Sequence, residues 1–167
     1  SRIGDQVNWL ANYAANASAP TKLRAEAIAQ LARDKNIVSI LDGAHGPGML
    51  FPDMADMGCD IYASCGHKWM CGPAGTGMLY VSPQILERVD AVMVGAYSDT
   101  GWEVSQQRQS ITGLAPTAHR YDYGTQNVAL HMGLKAAVEF MDQIGHAKIR
   151  ERTLDLAAYL QGKLMDR

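Results

Sequence analysis

Residues 59–77 are CDIYASCGHKWMCGPAGTG, and the framing of Lys68 within them decides the fold. Ile61, Tyr62 and Ala63 form an apolar run suited to a strand, and the small residues Ser64, Cys65 and Gly66 follow. Trp69 and Met70 come directly after the lysine, and Gly72–Gly77 is a glycine- and proline-rich turn. A surface lysine is normally bracketed by polar residues. This one stands where a strand ends inside apolar sequence, a setting in which a desolvated, nucleophilic amine is made.

Upstream, Ile37-Val-Ser-Ile-Leu41 is short, apolar and rich in β-branched residues, which predicts a buried strand. It ends in Asp42-Gly-Ala-His45, then Gly46, Pro47 and Gly48. Ligands of open α/β sheets lie beyond the carboxyl ends of strands, so Asp42 and His45 are site candidates. The local alternative is that Asp42 caps a turn, as Asp-Gly pairs often do, while His45 packs nearby. Downstream, Gly77–Val81 predicts a third strand.

The remaining chain supplies helices. Ile3, Val7, Leu10 and Ala14 recur at helical spacing near residues 5–15, and the run ending at Pro20 breaks that pattern. Thr21 is an N-cap for a helix over Lys22–Lys35, with Leu23, Ala27, Ile28, Leu31 and Ala32 on its apolar face. Phe51–Met57 predicts a short helix or turn, and Gln84–Val89 a helix begun by Ser82 and Pro83. Ala91–Ala96 is apolar enough for a strand. Ser98–Thr117 lacks periodicity and predicts a long loop. Arg120–Tyr123 is expected to be extended. Helices over Val128–Gln143 and Ala147–Leu164 close the chain.

Composition narrows the function classes. The 167 residues fit one domain with a real core, and a net charge of −2 gives no basic surface for nucleic acid. No apolar run is long enough to cross a bilayer, and the N-terminus lacks the blocks of a signal peptide. Three cysteines beside nine methionines point to a reducing compartment, hence a cytoplasmic location.

Strand ends thus present Asp42 with His45, and His67 with Lys68. Gly124-Thr125 is expected to open a helix, where backbone N–H groups suit a phosphate. Pyridoxal phosphate needs all of these: an amine for its aldehyde, a carboxylate for its pyridine nitrogen, donors for its phosphate and its 3′-oxygen. Zinc is the chemical rival, through His45, Cys59, Cys65, His67 and Cys71, but the chain has no Cys-x-x-Cys pair. Gly72–Gly77 lacks the Gly-Lys-Ser/Thr ending of a nucleotide P-loop and leads into a strand.

Asp42-Gly-Ala-His45, Gly58-Cys-Asp60, Gly66-His-Lys-Trp69, Gly72-Pro-Ala-Gly75-Thr-Gly77 and Gly124-Thr125 together resemble the class V aminotransferase group. These are fold-type I pyridoxal-phosphate enzymes, among them cysteine desulfurases, kynureninases and isopenicillin-N-epimerase-like proteins. The resemblance runs from about Lys22 to Gln161, and Asp-Gly-Ala-His with His-Lys-Trp draws it toward the epimerase-like branch. It implies an α/β fold, a mostly parallel sheet with flanking helices, in which Gly77–Val81 runs antiparallel. It implies a pyridoxal-phosphate-dependent enzyme labilising the Cα–H bond of an amino-acid substrate. Lys68 is then the Schiff-base lysine and proton shuttle, and Asp42 the partner of the pyridinium nitrogen. His45 takes the position that contacts the 3′-oxygen, which desulfurases fill with glutamine. His67 is a phosphate-side histidine, and either Ser64 or Cys65 reaches the phosphate. Gly124 and Thr125 match the pair whose threonine reaches the phosphate of the neighbouring subunit's cofactor, which implies a homodimer with shared sites.

The resemblance also sets the expected organisation. Residues 1–20 form an N-terminal segment of unclear origin. Residues 21–145 are part of a cofactor-binding large domain, and residues 146–167 a helix leading toward a small domain. No phosphate-binding loop or ring-stacking residue is found in Ser1–Pro20, so the chain resembles the second half of a large domain. Two alternatives accompany the enzyme reading: a catalytically silent structural or binding domain, and a cysteine desulfurase.

Overall fold

The computed structural model describes residues 21–166, and its first element is α1, Thr21–Asp34, close to the predicted span. Asn36 stops this helix by taking a left-handed conformation, φ 54°. Ile37 N then donates to Ala32 O at 2.8 Å and Asn36 N to Arg33 O at 2.9 Å, which satisfies carbonyls the helix end would leave bare. The helix predicted near residues 5–15 lies outside the described residues.

β1 (Ile40–Asp42), β2 (Ile61–Cys65) and β3 (Gly77–Val81) form one sheet in that order. Ile61 N donates to Ser39 O at 3.0 Å and Gly43 N to Ala63 O at 2.8 Å, so β1 and β2 run parallel. Gly66 N reaches Thr76 O at 2.8 Å and Ser82 N reaches Asp60 O at 2.7 Å, so β3 runs antiparallel to β2. The sheet is mixed, and with its helices the chain has the expected α/β character. β1 starts three residues later than predicted and is not buried, since Ile40 is 70% exposed.

The chain divides into two compact units, each discontinuous in sequence. One takes in residues through Leu41, Met54–Tyr62 and Leu79–Asn127. Its core has two clusters. Met57, Cys59 and Tyr62 pack with Leu41, Met54 and Tyr80, while Val81, Ile85 and Leu86 pack with Val38, Ile61, Val89, Ala118 and Tyr121. Burial pushes the Cys59 thiol above its ordinary pKa. At the amino end of β2, Asp60 Oδ2 accepts from both Ser39 N and Ser39 Oγ at 2.8 Å, and Asp60 N donates to Ser39 Oγ at 3.0 Å. This reciprocal clasp fixes the register of β1 on β2. α2, Met54–Met57, is the short helix predicted for Phe51–Met57.

Four expectations fail in this unit. Ala91–Ala96 is an irregular loop with Val92 91% exposed, and among the described residues no strand pairs with it. The expected loop Ser98–Thr117 contains a hairpin, β4 (Trp102–Val104) antiparallel to β5 (Gln109–Ile111), with Glu103 opposite Ser110. Ser105 N donates to Arg108 O at 2.9 Å and closes its turn. The predicted helix Gln84–Val89 shrinks to one turn of 3₁₀ helix, Leu86–Arg88. Arg120–Tyr123 is not extended, since Ala118–Tyr121 is a second such turn, with Thr117 Oγ1 accepting from His119 N at 3.3 Å.

Buried Arg120 ties those two turns together. It donates to Ala115 O at 2.7 Å, Leu86 O at 3.2 Å and Glu87 Oε1 at 2.7 Å. An Arg120→Met variant leaves two carbonyls unpaired, and we expect its melting temperature to fall by roughly 5–10 °C at neutral pH. The bond from Arg120, and then its charge, hold the Glu87 carboxyl below its ordinary pKa. Such a carboxyl stabilises the fold above its unfolded pKa, and that contribution is lost as pH falls through the lower folded value. Below about pH 4.3 the parent should therefore lose stability more steeply than Arg120→Met. The difference is small because the Glu87 side chain is 82% exposed. Urea melts across that range measure both effects.

The second unit comprises Asp42–Asp53, Ala63–Met78 and the residues from Val128 on. α3, Val128–Ile144, and α4, His146–Met165, run close to the predicted spans and pack on each other across Gly145, φ 96°. The Phe51 ring stacks on His146 at 3.9 Å between centroids. α4 has no buried residue, and Leu156, Tyr159, Leu160 and Leu164 remain exposed along it. Among the described residues no helix is long and apolar enough to cross a membrane.

Candidate active site

The site is built from two loops of the second unit, each leaving the carboxyl end of a strand. The loop after β2 closes on itself. Gly72 N donates to Gly66 O at 2.8 Å, Cys71 N to Lys68 O at 3.0 Å, and Thr76 Oγ1 to Pro73 O at 2.7 Å. Buried Met70 anchors it from within. Gly66 is required by close approach: a Cβ there would overlap the Thr76 hydroxyl and lie 3.1 Å from Leu134 Cδ1. Lys68 therefore projects from a backbone with little room to move, and it is half-buried.

The loop after β1 carries Asp42 and His45. Asp42 Oδ1 accepts from Ala44 N at 3.0 Å, and Gly46 N donates to Gly43 O at 2.8 Å. Asp42 is thus a turn-forming residue, as the local alternative held, and it is exposed. The same turn carries His45 to the lysine. Lys68 Nζ lies 3.3 Å from His45 Nε2, and Trp69 Nε1 donates to His45 Nδ1 at 3.1 Å. Gly48, φ 89°, lets this loop rest against the backbone of Trp69 and Met70. Residues 42–45 and 66–70 are thereby held as one constellation, because β1 and β2 run parallel and end side by side.

The other predicted residues are placed as follows. Ser64 and Cys65 end β2. Among the described residues Ser64 Oγ is buried without a hydrogen-bond partner, and Cys65 is half-buried and free. His67 is exposed beside Lys68. Gly124 and Thr125 belong to the first unit. They do not open the helix, since α3 begins at Val128 and the intervening residues are irregular. Gln126 Nε2 bonds to Gly124 O at 3.1 Å within that stretch. Among the described residues no three of His, Cys, Asp and Glu converge as metal ligands. Trp69 is the residue that sequence reasoning left as mere framing. Its signals were an aromatic side chain immediately after the lysine and its place in the His-Lys-Trp motif, neither of which gave it a role.

A constellation of amine, imidazole and carboxylate at parallel strand ends suits covalent capture of a carbonyl carbon and proton transfer beside it. The family model for aminotransferase class-V matches residues 2–167. The chain is 31% identical over 147 residues to isopenicillin N epimerase from Streptomyces clavuligerus, covering 87% of this chain and 37% of that protein. It superposes on a cysteine desulfurase from Escherichia coli with a TM-score of 0.70 at 28% identity, covering 90% of this chain and 35% of the other. It superposes on a C-DES mutant with glycine covalently linked to its PLP cofactor with a TM-score of 0.65 at 29% identity, covering 76% and 33%. The chain spans about a third of the length of the curated relatives it matches.

Proposed function

The chain belongs to the aminotransferase class-V family, and from that premise we propose that it carries the lysine-bearing part of a pyridoxal-phosphate-dependent enzyme acting at the Cα of an amino acid. The observation that carries this reading is the contact of Lys68 Nζ with His45 Nε2 at 3.3 Å, with Asp42 at the same strand end.

The residues present fit the cofactor. Lys68 offers an amine from a fixed loop. Asp42 has one carboxylate oxygen engaged, by Ala44 N, which leaves the other for a ring nitrogen. The orphaned Ser64 Oγ is a buried hydroxyl in want of a partner, and a phosphate oxygen would supply one. Cys65 and His67 stand on either side of Gly66, next along the chain. When bound, the cofactor supplies an electron sink for the pair left at Cα as the proton departs. Lys68 Nζ would hold its aldehyde carbon and, once displaced by the substrate amine, receive that proton. Asp42 would keep the ring nitrogen protonated, and His45 would donate to the 3′-oxygen. Gly124 and Thr125 would serve the phosphate in a partner subunit of a homodimer. Three free cysteines support a reducing, cytoplasmic setting.

The outcome at Cα is epimerisation, transamination or elimination. A cysteine desulfurase is the second reading, favoured by the superposition on the Escherichia coli enzyme. His45, where the resemblance puts glutamine in desulfurases, weighs toward the first. The test uses the full-length protein with added cofactor: visible absorbance that changes with amino acids, and borohydride trapping followed by peptide mapping. An adduct on Lys68 is expected. An adduct elsewhere, or none, overturns the reading and leaves a silent structural domain.

A further inference from the structure

We propose that Trp69 is a positioning residue whose indole N–H selects the His45 tautomer that donates toward Lys68. This deepens, and rests on, the reading of Lys68 given above. The indole nitrogen is a donor only. Its contact with His45 Nδ1 at 3.1 Å therefore requires a lone pair on Nδ1. In a neutral imidazole the proton must then sit on Nε2. Nε2 is the nitrogen 3.3 Å from Lys68 Nζ. With the Lys68 amine deprotonated, the chain of bonds runs in one direction, from the indole through the ring toward Nζ, whereas an ammonium would donate into Nε2 and compete for the other tautomer. Its last contact is a hydrogen bond when Nζ presents its lone pair, the form of lysine that captures a carbonyl carbon. The same Nε2–H is the donor that an anionic oxygen arriving beside Nζ would accept from.

Neighbouring backbone makes the arrangement specific. Trp69 follows Lys68 directly, and the glycine contact at Gly48 holds the β1 loop against the Trp69 carbonyl. Trp69 is 44% exposed, so its ring adds little to the core, and its polar edge is the part engaged. Loss of the indole N–H leaves His45 free to exchange tautomers.

The experiment uses the full-length protein without cofactor, labelled with nitrogen-15 in its histidine rings, in long-range proton–nitrogen correlation spectra. The His45 signal is assigned by its absence in His45→Gln. The parent is expected to show His45 protonated on Nε2. Trp69→Phe keeps an aromatic ring and removes the donor, and the tautomer ratio should fall about fivefold, the bias of one ordinary hydrogen bond. An unchanged ratio, or an Nδ1-protonated parent, overturns the proposal. If Trp69→Phe does not fold, the Trp69 indole N–H is followed instead. Its exchange with solvent should quicken in His45→Leu, whose side chain has no acceptor, and unchanged exchange overturns the proposal as well. Neither readout needs bound cofactor, so a failed trapping experiment at Lys68 and a failed tautomer experiment are separate results.

Discussion

Replacing Lys68 with alanine in the full-length protein should eliminate the borohydride-trapped adduct and lower amino-acid turnover by roughly 10²–10⁴-fold or more, the range for losing a positioned proton-transfer group. The loss is expected in kcat, because on the proposed reading Lys68 would act on the reacting carbon. The proposed binding groups remain in the variant: Asp42, His45 and the buried Ser64 hydroxyl lie on residues the substitution does not touch. The cofactor should still associate, without covalent attachment. The fold should survive, since the loop is closed by backbone bonds, Gly72 N to Gly66 O and Cys71 N to Lys68 O, that alanine keeps. Turnover at parent levels in Lys68→Ala would remove the lysine from the chemistry altogether.

The second large effect falls on a residue with no side chain. A Gly48→Ala change places a methyl group against the carbonyl of Trp69 and 2.5 Å from Met70 N. These are backbone atoms, so no rotamer change relieves the overlap. The position also has φ 89°, which an L-residue occupies at a cost. Strain and overlap together amount to about 2–5 kcal/mol. The expected readout is a lowered urea midpoint with an unchanged slope, together with reduced trapping at Lys68 as the two loops part. Gly162→Ala is the matched control. It lies within α4 with nothing near a new Cβ, and it should be stabilising by about 0.5–1 kcal/mol. Equal effects at the two positions would mean that the loops around Lys68 are not held together.

Much of the candidate site was legible in the sequence because unusual residues stand at strand ends. Asp42, His45 and Lys68 break apolar runs, and a parallel pair of strands brings such breaks together. Trp69 was not legible as a functional residue, because its role depends on which ring nitrogen of His45 it meets, and no spacing encodes that. The helices α1, α3 and α4 were found by periodicity, with ends correct to within two residues. The hairpin Trp102–Ile111 was missed because its turn, Ser105–Arg108, contains no Gly, Pro or Asn to signal it. Ala91–Ala96 misled for the opposite reason, since apolar residues make a strand only when a neighbour pairs with them. The late start of β1 follows from Ser39, whose backbone N–H and hydroxyl are both committed to the Asp60 carboxylate.

That clasp has an evolutionary corollary. Ser39 and Asp60 stand 21 positions apart, yet each supplies what the other needs: the hydroxyl serves a buried carboxylate, and the carboxylate serves a backbone amide. Losing either alone strands polar atoms in the interior, whereas replacing both can be nearly neutral. The two residues should therefore behave as one heritable unit, drifting together or not at all, and a substitution at one should be tolerated chiefly in lineages that have already altered the other.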